Sequence, residues 1–346
     1  MNEINKHIEW KKLGFKFFPT KYMFVATCSD GEWKTTGCVP FGNIEISPAA
    51  GVLNYGQGLF EGLKAYSGRD GHVYLFRPQK NADRIHNGCK RLCIPPLPQD
   101  LFMEAVTEVT KANKEFIPPY QEDSVAQGAL YLRPVVWGTG PVLGVAPAPS
   151  YTFVTYACPV GPYFRSGFES IKLKITENYH RAASGGTGGV KAIGNYCIGM
   201  MPAKMAKSEG FQEILYLDAK DNKHIEEVGA ANFFCIKGNK LYTPALDGCI
   251  LPGVTRNSIL HLAKNEFAMD VHEGSISVDD IFDCDEAFAS GTAAVITPIG
   301  SISYQDKEIV MNNNEPGPIS KKIYQKLLDI QHGIAEDKYN WRYVIE

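Results

Sequence analysis

Residues 184–196 read SGGTGGVKAIGNY, and the rest of the chain can be worked outward from them. Four glycines within 184–189 let the backbone turn sharply or pass close to a flat ligand. A single lysine, Lys191, follows, with Tyr196 five residues later. The next run, CIGMMPAKMAKSEG (197–210), predicts a helix with Asn195 as N-cap and Gly210 as its stop. Lys191 therefore falls at a junction between elements, where side chains tend to be displayed into a site.

A phosphate-binding P-loop needs glycine directly before its lysine and Ser or Thr directly after. Val190 and Ala192 exclude it here. Two readings stay open from this stretch alone. One is a surface loop carrying a solvated lysine. The other is a desolvated amine that adds to a carbonyl, the chemistry by which lysine holds pyridoxal phosphate.

At 346 residues the chain is long enough for two domains. It is 44% hydrophobic and 21% charged, the balance of a soluble globular protein. A net charge of −3 provides no field to gather nucleic acid or an anionic membrane, and no apolar run is long enough to span a bilayer. The first 17 residues mix acids and bases without an apolar core, so neither a secretory signal nor a transit peptide is expected. Nine cysteines without paired spacing suit reduced thiols. The expectation is a soluble cytoplasmic protein.

KYMFVATCSDGEW, GNIEISPAA and LKAYSGRDGHVYLF alternate in short runs and predict strands, with turns at Asp30-Gly31 and Asp70-Gly71. NADRIHNGCKRLC (81–93) and Pro98 to Phe116 predict helices. ALYLRPVVW and YTFVTYACPV predict strands on either side of a Gly/Pro-rich loop. Residues 161–171 show little periodicity and suggest an interdomain loop between a small α+β domain (1–160) and a large one (172–346). Beyond it, strands and helices mix without an internal repeat.

A pyridoxal phosphate enzyme also needs an anion site, a group governing the pyridine nitrogen and a partner for the ring hydroxyl. LPGVTRNSIL (251–260) brings Pro252-Gly253 to a helix start, whose free N–H groups at Val254 and Thr255 favour phosphate. Arg84 could add a bidentate cation. HIEEVGAANFF (224–234) has Glu226 and Glu227 side by side on a strand, so one would face a site and the other solvent.

LNYGQGLFEGLKAY, LFRPQKNADR, GGVKAIGNY, EEVGAANFF, LPGVTRNSIL and SGTAAVITPIG resemble, in this order, the signature segments of branched-chain-amino-acid aminotransferases. The likeness runs from about residue 20 to residue 335. It implies a two-domain α+β protein of fold type IV, similar to D-amino-acid aminotransferase, with pyridoxal 5'-phosphate between the domains. By position it implies Lys191 as the covalent holder of the cofactor and proton carrier, Tyr196 for the ring hydroxyl and Glu227 for the pyridine nitrogen. Arg84, Val254 and Thr255 would hold the phosphate, with Thr292 also in the cofactor set. The backbone at Thr292 and Ala293 would receive the substrate α-carboxylate. Such proteins are dimers or higher, which implies that Tyr55, Leu143 and Val145 reach the partner's pocket while Phe60, Tyr131 and Arg133 line their own. An aromatic, apolar slot suits a branched side chain, and Arg133 suits the second carboxylate of glutamate. The implied reaction exchanges the amino group of leucine, isoleucine or valine with 2-oxoglutarate.

Two positions depart from the family pattern. Ala294 and Pro298 stand where animal relatives carry a redox pair of cysteines, so no thiol switch is expected there. Ala230 replaces a threonine found in some relatives. His86, Cys89 and Cys93 share a predicted helix face and could mimic a metal site, but buried cysteine is common and no metal is expected. The rival readings are another fold type IV enzyme, a D-amino-acid aminotransferase or aminodeoxychorismate lyase, and a non-catalytic binding protein.

Overall fold

The structure, a computed structural model, describes residues 8–122, 127–161 and 168–346. Most of the expected interdomain loop, 162–167, lies outside the described residues. The chain divides into two compact units: residues 1–165, 191–194 and 328–346 form the first, and 166–190 with 195–327 the second.

In the first unit, strands β1 (Tyr22–Ser29) and β2 (Glu32–Pro40) form a hairpin whose turn residues, Asp30 and Gly31, both have positive φ (53° and 80°). That is the turn whose twist matches paired strands. Helix α1 (Gly51–Tyr55), β3 (Gly58–Phe60), the β4 (Leu63–Ser67)/β5 (Val73–Phe76) hairpin and helices α2 (Pro78–Arg91) and α3 (Gln99–Ala112) follow. The long strands β6 (Ala129–Gly138) and β7 (Ser150–Val160) complete the succession. GNIEISPAA, expected as a strand, forms none over residues 42–47. Helix α3 covers the sheet: fully buried Phe102 stacks on Phe153 of β7, which meets Phe24 of β1, each with centroids 6.4 Å apart. Each such ring contributes about 1.5–3 kcal/mol by leaving water.

The second unit contains β8 (Ile171–Thr176), short helices α4 (Gly194–Cys197) and α5 (Met200–Ser208), β9 (Glu213–Leu217), β10 (Ile225–Val228), β11 (Ala231–Lys237) and β12 (Lys240–Pro244). Then come α6 (Val254–Asn265), β13 (Asp270–Gly274), α7 (Val278–Ile281), β14 (Glu286–Gly291), β15 (Val295–Tyr304), β16 (Lys307–Val310) and α8 (Pro318–Gln331). The strands run in the order β10-β9-β8-β15-β14-β11, and β11 pairs back onto β10, so the sheet closes on itself. Closure leaves those strands without free edges and buries both faces, as the buried run Asn232–Ile236 shows. Inside, Phe234 and Phe288 stack at 4.9 Å.

The last strand, β17 (Arg342–Ile345), pairs antiparallel with β5. The C-terminal segment, which the sequence reading gives to the large domain, therefore belongs to the first unit. Trp341 meets Phe76 edge-on at 5.7 Å, and the Arg77 guanidinium lies 4.7 Å over the Trp341 ring. That long-range pairing has no local signature in the sequence.

Candidate active site

Lys191 sits in a four-residue excursion of the chain into the first unit. Its backbone is threaded along β3: Phe60 N donates to Lys191 O at 3.2 Å, Ile193 N donates to Gly58 O at 3.1 Å, and Leu59 bridges Ala192. The lysine lies in a turn whose backbone is pinned to β3 by these bonds. Its Nζ lies 4.8 Å from the centre of the Phe60 ring. The Arg133 guanidinium is also 4.8 Å from that centre, and Arg133 Nη2 donates to the Tyr131 hydroxyl at 3.2 Å. Phe60, Tyr131, Arg133 and Lys191 are thus brought together. A Cβ on Gly62 would fall 1.9 Å from the Tyr131 hydroxyl oxygen, so only glycine fits there.

Arg84 is anchored by a residue that the sequence reading missed. Fully buried Glu61 accepts from Arg84 Nε and Nη2, both at 2.7 Å, and from Asn81 Nδ2 at 2.8 Å. The fork fixes the guanidinium plane. Glu61 lies inside LFEGLKAY, between β3 and β4, and a carboxylate in an otherwise apolar run was the available signal, because such a group needs a partner when buried. Tyr55, Leu143 and Val145 are exposed, the last two at 92% and 89%, and the Tyr55 hydroxyl donates to Leu143 O.

In the second unit the glycine-rich loop packs on residues 248–249. Gly189 N donates to Gly248 O at 2.7 Å, and a Cβ on Gly188 would meet Cys249 O at 2.2 Å. Asn195 does not cap the following helix, whose N-cap is Gly199. Its side chain donates to Thr187 O and Val190 O (2.7 and 2.8 Å) and accepts from the Thr187 hydroxyl, closing the loop instead. Tyr196 lies half-buried in α4.

Glu226 and Glu227 are both buried, at 4% and 2% exposure, so neither faces solvent as expected. The closed sheet covers both faces of β10. Arg181, a second missed partner, approaches Glu227 Oε2 to 2.7 Å and donates to Cys249 O and Gly188 O. Asn232, cross-strand from Glu227, donates to its Oε1 at 2.6 Å and to Leu251 O at 2.9 Å. Burial pushes the Glu226 carboxyl up to about 7, against the pull of Arg181.

Helix α6 begins at Gly253, which has no side chain to cap it, and a Cβ there would lie 2.1 Å from Asn232 Oδ1. Thr255 in its first turn is buried. Thr292 and Ala293 occupy the three-residue turn joining β14 and β15, closed by the pair Gly291–Val295. Val295 has φ 64°, a conformation that is strained for a β-branched residue and that clusters at functional turns. Each unit by itself offers groups of the kind that pyridoxal phosphate needs: in the first an anchored amine, and in the second a buried carboxylate paired with arginine, a helix start without a side-chain cap, and glycine contacts that no larger residue could make.

His86, Cys89 and Cys93 do not converge. His86 Nδ1 contacts Leu97 O at 2.9 Å, Cys89 is fully buried with its thiol pushed up to about 11 by burial, and Cys93 is exposed. Among the described residues, the group of His, Cys and acidic side chains near enough to share an ion is Asp218, Asp221 and His224, in the turn after β9.

Residues 58–302 match the family model for class IV amino-transferases, and the chain belongs to that family. It is 48% identical over 335 residues to a chloroplastic branched-chain amino acid aminotransferase of Humulus lupulus, covering 96% of this chain and 81% of that one. It is 44% identical over 341 residues to a methionine aminotransferase of Arabidopsis thaliana, covering 98% and 94%. The solved branched-chain amino acid aminotransferase of Escherichia coli superposes with a TM-score of 0.80 at 28% identity, covering 94% of this chain and all of that one. Within the family the chain stands among the branched-chain-amino-acid aminotransferases, with their two-domain fold type IV architecture.

One expectation falls. The relatives whose names carry a compartment are chloroplastic or mitochondrial, which points to an organelle and not the cytoplasm. All nine cysteines are free in the structure.

Proposed function

We propose that this protein transfers the amino group of leucine, isoleucine or valine to 2-oxoglutarate, using pyridoxal 5'-phosphate. The observation that carries the reading is the cluster in the first unit. A sheet-anchored amine, Lys191, and the Arg133 cation lie on one aromatic ring, Phe60, beside Tyr131. An apolar aromatic wall receives the branched side chain, and Arg133 receives the second carboxylate of glutamate when it enters the same place.

When bound, the cofactor supplies an electron sink that acidifies the substrate Cα–H. Lys191 Nζ is the group that takes that proton and returns it. Glu227, held by Arg181 and Asn232, is the acceptor for a protonated ring nitrogen, and the Tyr196 hydroxyl orients the ring oxygen. Arg84, with the N–H groups of Val254 and Thr255 and with Thr292, binds phosphate. The backbone at Thr292 and Ala293 binds the α-carboxylate. Ala230, exposed after the β10 strand, offers no hydroxyl to substrate.

The protein acts as a homodimer. Leu53, Tyr55, Leu143 and Val145 leave an apolar patch exposed on one chain, of the kind that a partner covers. Sedimentation of the purified protein at twice the chain mass is the expected result.

Borohydride should fix the cofactor to Lys191, and Lys191→Ala should retain its fold while leucine turnover falls below about a thousandth of wild type. Full turnover in that variant would refute the assignment. D-alanine should not be a donor. Methionine is the further donor to assay, since a methionine aminotransferase is among the relatives.

A further inference from the structure

The loop between β6 and β7 has a bare apolar tip on a firmly bonded base, all within the first unit. Residues 143–147, Leu-Gly-Val-Ala-Pro, are exposed throughout. The base is pinned to the start of α1. Val142 N donates to Ala49 O at 2.9 Å, Gly51 N donates to Gly140 O at 3.3 Å, and Ala50 bridges Pro141. Pro141, Pro147 and Pro149 stiffen the run further. The Tyr55 hydroxyl ties the tip to α1 through Leu143 O.

One residue joins the two ends of this loop. Gln57 O accepts from Gly138 N at 3.0 Å, and Gln57 Oε1 accepts from Ala148 N at 2.9 Å. Its Nε2 donates to Leu92 O at 2.9 Å, at the end of α2. The amide therefore spends its acceptor on the loop and its donor on the helix, a pairing that neither a carboxylate nor a hydrocarbon can reproduce. Glycines leave the room for it. A Cβ on Gly138 would lie 2.6 Å from Gln57 Oε1, and one on Gly51 would lie 3.3 Å from it.

We propose that Gln57 is a positioning residue for substrate selection: by closing the β6–β7 loop against α2, it holds the apolar tip as a preformed wall over the substrate side chain bound by a second copy of this chain. The inference rests on the homodimer reading given above. The tip carries no charged or polar side chain, so it suits a branched hydrocarbon and offers nothing to the second carboxylate of glutamate. A wall ordered in advance binds without the cost of ordering it at each encounter. Releasing it weakens the hold on an apolar donor and leaves the proton transfer at Lys191 as it was.

The test compares wild type with Gln57→Met, which keeps the length of the side chain and loses both of its hydrogen bonds. In the cofactor-loaded, full-length protein, KM for leucine should rise about 5- to 20-fold while kcat stays within about twofold. Cofactor affinity, read by spectral titration, should stay within about twofold of wild type. Mixed dimers, purified through two different tags, show which site the loop serves. When Gln57→Met sits on the chain that also carries Lys191→Ala, the live site faces a loosened loop, and KM should rise as before. When Gln57→Met sits on the live chain and Lys191→Ala on the other, KM should be that of wild type. Should Gln57→Met fail to fold, Gln57→Glu keeps the acceptor for Ala148 N and loses the donor to Leu92 O, and the same two mixtures decide with the same expected pattern. An unchanged KM in the variant homodimer would overturn the proposal, as would a rise confined to the second mixture. Both results would leave the homodimer reading standing. Sedimentation as a single chain would remove that reading and the proposal with it.

Discussion

Glu226 is a buried carboxylate that the chemistry does not use, and its removal should strengthen the protein at alkaline pH. Arg181, Asp247, Asp218 and the Cys249 thiol surround it, and its Oε2 accepts no hydrogen bond from the described residues. Burial raises the group from an ordinary 4.5 to about 7. The folded protein therefore binds a proton more tightly than the unfolded chain does, and stability falls as pH rises from about 4.5 to about 7. Some two and a half pH units at about 1.4 kcal/mol each give a cost of about 3.5 kcal/mol once the group is ionised in the fold. Glu226→Gln keeps the shape and removes the charge, but its amide needs a partner where Oε2 has none, which costs about 1 kcal/mol. The net expectation is a gain of about 2.5 kcal/mol at pH 8.5 and a slight loss at pH 5. Urea unfolding of both proteins at the two pH values measures it. An equal difference at both, or a loss at pH 8.5, would refute the reasoning.

Gly253→Ala puts a methyl 2.1 Å from Asn232 Oδ1, and moving Asn232 disturbs Glu227 and the start of α6 together. Cofactor affinity, followed by spectral titration, should fall at least about tenfold. Arg133→Met should raise KM for 2-oxoglutarate about 10- to 100-fold through a lost charge-assisted bond, while KM for leucine stays within about threefold. Trp341→Ala removes the ring that covers Phe76 and Arg77 and should cost about 3–5 kcal/mol in urea unfolding.

Local chemistry was legible in the sequence wherever neighbours in the chain decide the structure. The Asp30-Gly31 hairpin, the amphipathic α3 and the run into α6 follow from turn residues and periodicity. The six motif segments pointed to the lysine, the acid and the helix start as candidates. What the sequence did not disclose depends on residues far apart. Glu61 meets Arg84 across 23 positions, Arg181 meets Glu227 across 46, and β17 returns to β5 from the far end of the chain. Asn195 looked like a helix cap because Asn commonly is one, yet the glycine loop before it offered carbonyls at closer reach. GNIEISPAA has the alternation of a strand, but among the described residues no strand pairs with it over 42–47. Glu226 was read as solvent-facing because alternation assumes one open face, which a closed sheet does not provide.

The division of the chain bears on how such a protein can be taken apart or assembled. The backbone passes from one unit to the other at 165/166, 190/191, 194/195 and 327/328. A gene cut at any single one of these points leaves the first unit incomplete, because it draws the lysine segment from the middle of the message and its edge strand from residues 328–346. The first unit is complete during synthesis only once residues 328–346 have emerged, and neither unit can be exchanged as one continuous cassette with a relative. Shuffling between homologues must respect all four crossings at once.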